Sequence, residues 1–112
     1  MHELSLALSL LEAVAPRVPH KAALREVHVT VGPLAGVCAE ALEFGFAEIA
    51  LREGYLNAKL SIRSVPARFA CQGCGADYES ATAQAVCPHC GSLQRRLVSG
   101  AEFSLDSIEL EE

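Results

Sequence analysis

Cys71-Gln72-Gly73-Cys74-Gly75 and Cys87-Pro88-His89-Cys90-Gly91 form two Cys-x-x-Cys-Gly knuckles, with twelve residues between Cys74 and Cys87. Two residues between thiolates let one tight turn present both sulfurs to a single ion. A glycine after the second Cys permits the positive φ that such turns often need. Four thiolates suit tetrahedral Zn²⁺ at about 2.3 Å, a set closed to solvent ligands and therefore structural. Similar spacing also serves a rubredoxin-like iron site. Two disulfides fit a reducing compartment poorly. A redox Cys-x-x-Cys needs a reactive thiolate near a helix start in a β–α–β context, which neither knuckle has. Zinc is therefore expected at Cys71, Cys74, Cys87 and Cys90, with His89 a solvated turn residue.

Met1-His2-Glu3 is the second feature with chemistry. A free α-amine titrates near a pKa of about 8 and ligates metals once deprotonated. The His2 imidazole can close a chelate ring with its own backbone nitrogen. Ni²⁺ and Cu²⁺ are the divalent ions best able to displace amide protons and accept planar nitrogen ligation. Taken alone the feature is weak: a His at position 2 is usually just a frayed terminus, and Glu3 can equally be helix-start chemistry, an acid complementing the dipole. A fifth cysteine, Cys38, is left over, and free Cys packs readily as a small, half-buried hydrophobe.

The elements that must position these groups follow from periodicity. Leu4, Ala7, Leu8, Leu11, Val14 and Ala15 recur at helical steps until Pro16 and Pro19. Residues 26–32 alternate through Val27, Val29 and Val31 as a strand does, and Gly32-Pro33 with Gly36 make a turn. Residues 39–53 return to helical spacing through Leu42, Phe46, Ile49 and Ala50, with Gly54 as the stop. Residues 58–65 alternate again. The order helix, strand, helix, strand suits a small sheet covered by two helices. Residues 67–100 hold the knuckles and few large apolar groups, too few to fold without a staple. Residues 94–98 and 102–110 resume strand character. If the last strand pairs back onto the first sheet, the cysteine segment is an insertion.

Composition narrows the function classes. Of 112 residues, 51% are hydrophobic, enough for one modest core and too many for a disordered chain. Nine Lys and Arg against fourteen Asp and Glu give a net charge of −5, with most of the excess in residues 101–112. This argues against a phosphate-backbone binder. The apolar run 4–15 has Glu3 where a signal peptide needs positive charge, and it is too short to span a bilayer. A cytoplasmic protein without membrane insertion is expected. No nucleophile–base pair or phosphate-binding glycine loop is evident, so no enzyme activity and no catalytic residue are expected. A zinc-ribbon nucleic-acid or protein-interaction module is the alternative.

Taken together, MHELSLALSLLEAV, VTVGPLAGV with EALEFGFAEIA, VPARFACQGCG, CPHCGS and VSGAEFSLDSIELEE resemble the HypA/HybF family. These are nickel metallochaperones of [NiFe]-hydrogenase maturation, and of urease in some bacteria. The likeness runs over residues 1–112. It implies an α+β protein: a nickel domain of two helices on a small three-stranded sheet, formed by 1–66 and 101–112, plus an inserted four-cysteine, zinc-ribbon-like domain at 67–100. Carried over by position, the Met1 amine, the His2 ring and backbone nitrogen, and the Glu3 backbone nitrogen would hold Ni²⁺ as exchangeable cargo, while the four knuckle cysteines hold structural Zn²⁺. The implied partners are the pathway's nickel-handling GTPase and the hydrogenase large subunit, with a homodimer compatible and no nucleic acid. Pro33 and Cys38 depart from the family, which commonly has acidic residues there. The second departure makes Cys38 a candidate neighbour of the nickel.

Overall fold

The computed structural model describes residues 2–81 and 86–111, with the backbone alone at His2. The chain forms two compact units, one of Met1–Thr30, Val37–Arg63 and Ser104–Glu112, the other of Val31–Gly36 and Ser64–Phe103.

In the first unit, helix α1 (His2–Val14) buries Ala7, Leu10, Leu11 and Val14, an i, i+3, i+4, i+7 stripe. Leu8 and Ala15, expected on that stripe, are exposed. A run this rich in Leu and Ala leaves its rotational phase open until something packs against it. Pro16 lies inside a single 3₁₀ turn, Ala15–Arg17, that follows α1. Strand β1 (Leu24–Val31) buries Val27, Val29 and Val31 on one face. Helix α2 (Ala39–Arg52) contributes Leu42, Phe46 and Ala50 to the core, and Phe46 is the largest of the fully buried side chains. Gly45 lets α1 approach closely, since a Cβ there would lie 2.9 Å from Leu4 Cδ2. Gly54, φ +92°, closes α2 just beyond Arg52, and the N–H groups of Gly54 and Tyr55 return to the carbonyls of Leu51 and Ala50.

Strand β2 (Lys59–Ser64), β1 and β6 (Phe103–Leu110) form a three-stranded sheet in the order β2-β1-β6. The C-terminal strand therefore returns to the central strand of the first sheet, the arrangement the resemblance implies. Its apolar burial is slight, with only Phe103 and Ile108 half-buried. Polar pairs fasten it instead: Arg25 with Glu111, His28 with Glu109, and Thr30 with Asp106. The Glu111 N–H also donates to the Ala23 carbonyl at 2.7 Å.

The second unit has its own sheet, β4 (Asp77–Ser80), β3 (Ala67–Cys71) and β5 (Arg95–Ser99), in the order β4-β3-β5 with both pairings antiparallel. Its core is Ala67, Phe69, Cys71, Tyr78 and Cys87, with Leu34 packed against it. Leu34 is held there because its N–H donates to the Gly100 carbonyl and that of Gly32 to Glu102, each at 2.8 Å. A Cβ at Gly32 would fall 2.2 Å from the Gly100 oxygen, so only glycine fits.

The Thr30 hydroxyl, and secondarily that of Ser104, donate to Asp106 and hold its carboxyl below the usual carboxylate range. A carboxyl depressed in the folded state contributes stability above its unfolded pKa of about 3.9, and that contribution is lost as pH falls through the lower folded value. Asp106→Asn is accordingly expected to lower the thermal midpoint at pH 7, with the gap from wild type narrowing below about pH 4. The difference between the two proteins is the measurement, since thiolate protonation in acid affects both alike. A gap independent of pH would assign the loss to packing.

Candidate metal centres

The four knuckle sulfurs converge. Cys71 Sγ lies 3.6 Å from Cys90 Sγ, and Cys74 Sγ 3.7 Å from Cys87 Sγ, each pair joining one knuckle to the other. A tetrahedral ion with Zn–S bonds of about 2.3 Å requires sulfurs about 3.75 Å apart. A disulfide requires about 2.05 Å, so the observed spacing belongs to a four-thiolate metal centre. The donor set fits structural zinc, leaving no coordination position for a substrate.

The two knuckles are built alike. The N–H groups of Gly73 and Cys74 point at Cys71 Sγ, and that of His89 at Cys87 Sγ. The N–H of Gly75 returns to the Cys71 carbonyl and that of Gly91 to the Cys87 carbonyl, at 3.0 and 2.8 Å. Both glycines have positive φ, +79° and +75°, as the turn requires. The first Cys of each knuckle is buried and the second exposed. Cys71, on β3, is held low, at about 6, chiefly by the Cys74 N–H, against the upward pull of burial. For Cys90 the Ser92 N–H acts downwards, but the neighbouring sulfurs and burial outweigh it and raise the thiol to about 12. Four thiols this close cannot all ionise without a cation between them.

Aromatic side chains that local pattern does not single out support the centre. Phe69 and Tyr78 pair across β3 and β4 with ring centroids 5.5 Å apart, and the Arg95 guanidinium lies 4.7 Å from the Phe69 ring centre. His89 is exposed, and its ring is not among the converging donors.

At the other end of the chain, Met1 and the His2 side chain lie outside the described residues. The His2 backbone opens α1, so the His2 and Glu3 amides belong to the helix's first turn. The Glu3 carboxylate accepts the Cys38 N–H at 3.2 Å, and the Cys38 carbonyl accepts the Leu42 N–H at 2.9 Å. The start of α1 is thereby tied to the start of α2. The Cys38 thiol is exposed, not half-buried.

Two helices and small sheets, with a closed four-thiolate unit, define a small α+β metal-binding protein in which zinc is a staple. The family model described as "Hydrogenase/urease nickel incorporation, metallochaperone, hypA" matches residues 1–110, and the chain belongs to this HypA family. The "Hydrogenase maturation factor HypA" of Chlorobium luteolum is 37% identical over 114 residues, spanning 100% of this chain and 97% of that protein. That of Synechococcus elongatus is 40% identical over 112 residues, spanning 98% and 99%. The solution structure of the Ni metallochaperone HypA from Helicobacter pylori shares the fold, with a TM-score of 0.56 at 23% identity and 97% of both chains covered.

Cys74 is exposed, so Cys74→Ala removes a ligand without opening a cavity. Structural zinc binding is worth on the order of 10–16 kcal/mol near neutral pH, far beyond what so small a core supplies. Zinc affinity is expected to fall at least about 100-fold, read by competition with a chromophoric chelator. The amide resonances of residues 64–81 and 86–103 are expected to lose dispersion under chelator concentrations that leave wild type intact. Retained dispersion would show that this unit folds without metal.

Proposed function

We propose that this chain carries Ni²⁺ at its N-terminus and hands it over during [NiFe]-hydrogenase maturation, and to urease where that enzyme is present. The ligands are the Met1 amine, the His2 ring and backbone nitrogen, and the Glu3 backbone nitrogen. The supporting observation is that α1 begins at His2. The first N–H groups of a helix have no intrahelical acceptor. The amides of His2 and Glu3 can therefore give up their protons to nickel without costing the helix a hydrogen bond. The Glu3–Cys38 bond restrains this turn against the start of α2.

Residues 1–66 and 101–112 serve as the nickel domain and 67–100 as the zinc domain, apart from Val31–Gly36 and the flanking 64–66 and 101–103, which cluster with the zinc-bearing unit. The protein works as a cytoplasmic carrier and not as a catalyst, receiving or passing nickel through the pathway's GTPase and the hydrogenase large subunit, with a homodimer as a compatible assembly. A nucleic-acid role finds little support: Arg68 pairs with Glu79 at 2.7 Å and Arg95 covers Phe69, so both are engaged within their own unit. Cys38, with its exposed thiol and its amide on Glu3, is a neighbour of the bound nickel.

Calorimetric titration of Ni²⁺ into zinc-loaded protein tests the reading. His2→Ala and an N-terminal extension are each expected to weaken nickel binding at least about tenfold; undiminished affinity in both would overturn it. Protons compete for amine and imidazole, so affinity is expected to weaken as pH falls through about 8 to 6. Cys38→Ser is expected to change nickel affinity or the thiolate-to-nickel absorption, and no change in either would remove Cys38 from the site.

A further inference from the structure

The face of β1 opposite Val27, Val29 and Val31 carries Glu26 and His28, two residues apart and therefore side by side. β6 brings Glu109 to the same place. His28 Nε2 lies 2.6 Å from Glu109 Oε2 and 3.9 Å from Glu26 Oε1. One donor atom from each of the three residues lies within 4.8 Å of the others. An imidazole nitrogen has one proton to give, yet two carboxylates converge on it. A cation shared by all three would offset the two negative charges and use the imidazole nitrogen as a ligand. An ion about 2.1 Å from each donor needs donors about 3–4 Å apart, so small side-chain movements close the set.

We propose that Glu26, His28 and Glu109 form a second divalent-cation site, distinct from the thiolates and from the N-terminus, that clips β6 to β1. The imidazole selects a first-row transition ion such as Ni²⁺ or Zn²⁺ over Mg²⁺ or Ca²⁺, which prefer all-oxygen sets. The Glu109 side chain is 60% exposed, against 31% for His28 and 21% for Glu26, so water completes the coordination and the ion exchanges readily. His28 and Glu109 stand 81 residues apart in sequence. A bridging ion therefore joins a strand of slight apolar burial to the centre of the sheet, and stabilises the folded state by mass action because the unfolded chain does not assemble the three ligands.

The test uses full-length, zinc-loaded protein carrying an N-terminal extension, which removes the free amine from the experiment. Ni²⁺ is titrated while amide resonances and the thermal midpoint are followed. Saturable paramagnetic broadening is expected at residues 26–28 and 108–110, with a rise in the midpoint. His28→Asn and the isosteric, exposed Glu109→Gln are each expected to weaken both effects at least about tenfold. Broadening that fails to saturate, or that persists unchanged in both variants, would overturn the site. The blocked terminus keeps this result separate from the N-terminal nickel reading.

Discussion

Four sulfurs held at the separation of a tetrahedral ion are the constraint on which the second unit depends. Its apolar core amounts to Ala67, Phe69, Tyr78 and two of the cysteines themselves, with Leu34 against them. Area burial on that scale does not offset the entropy of ordering a segment of this length. Metal–thiolate bonding supplies the difference, and the rest of the unit serves it. β3 carries Cys71 at its end, the glycine turns aim sulfurs and amides inward, and the Phe69–Tyr78 pair fills the space behind.

The first unit rests on ordinary burial. Val27 and Val29 are buried, as are Leu42 and Phe46 of α2 and Leu10, Leu11 and Val14 of α1, and Gly45 allows α1 close approach to α2. The difference between the units suits a carrier. A closed thiolate set holds its ion as structure. In the proposed N-terminal site an amine and an imidazole, for which protons compete, would suit an ion that has to leave.

Much of this is legible from local pattern. The two helices, strands β1, β2, β5 and β6, and the stop at Gly54 follow from periodicity and glycine placement. Chelate spacing alone shows the four cysteines as one centre. The phase of α1 is less legible, because Leu8 and Leu10 are chemically identical and only the packing partner selects Leu10 for the core. Strands β3 and β4 are short, contain Arg68 and Glu79, and lie within a metal segment whose composition masks β character. The thiol of Cys38 reads as a packed hydrophobe and is in fact exposed at the start of α2.

Residue types and their spacing point to a four-thiolate set at Cys71, Cys74, Cys87 and Cys90, while only the family resemblance singles out Met1, His2 and Glu3 as proposed nickel donors. Such features are local, since chelate rings and helical turns close within a few residues. Which distant groups meet is a property of the folded chain alone. Folding placed Leu34 in the zinc unit, tied Glu3 to Cys38, and brought Glu109 to Glu26 and His28. Those meetings depend on strand order and on backbone bonds between distant segments, which no periodicity in the chain encodes.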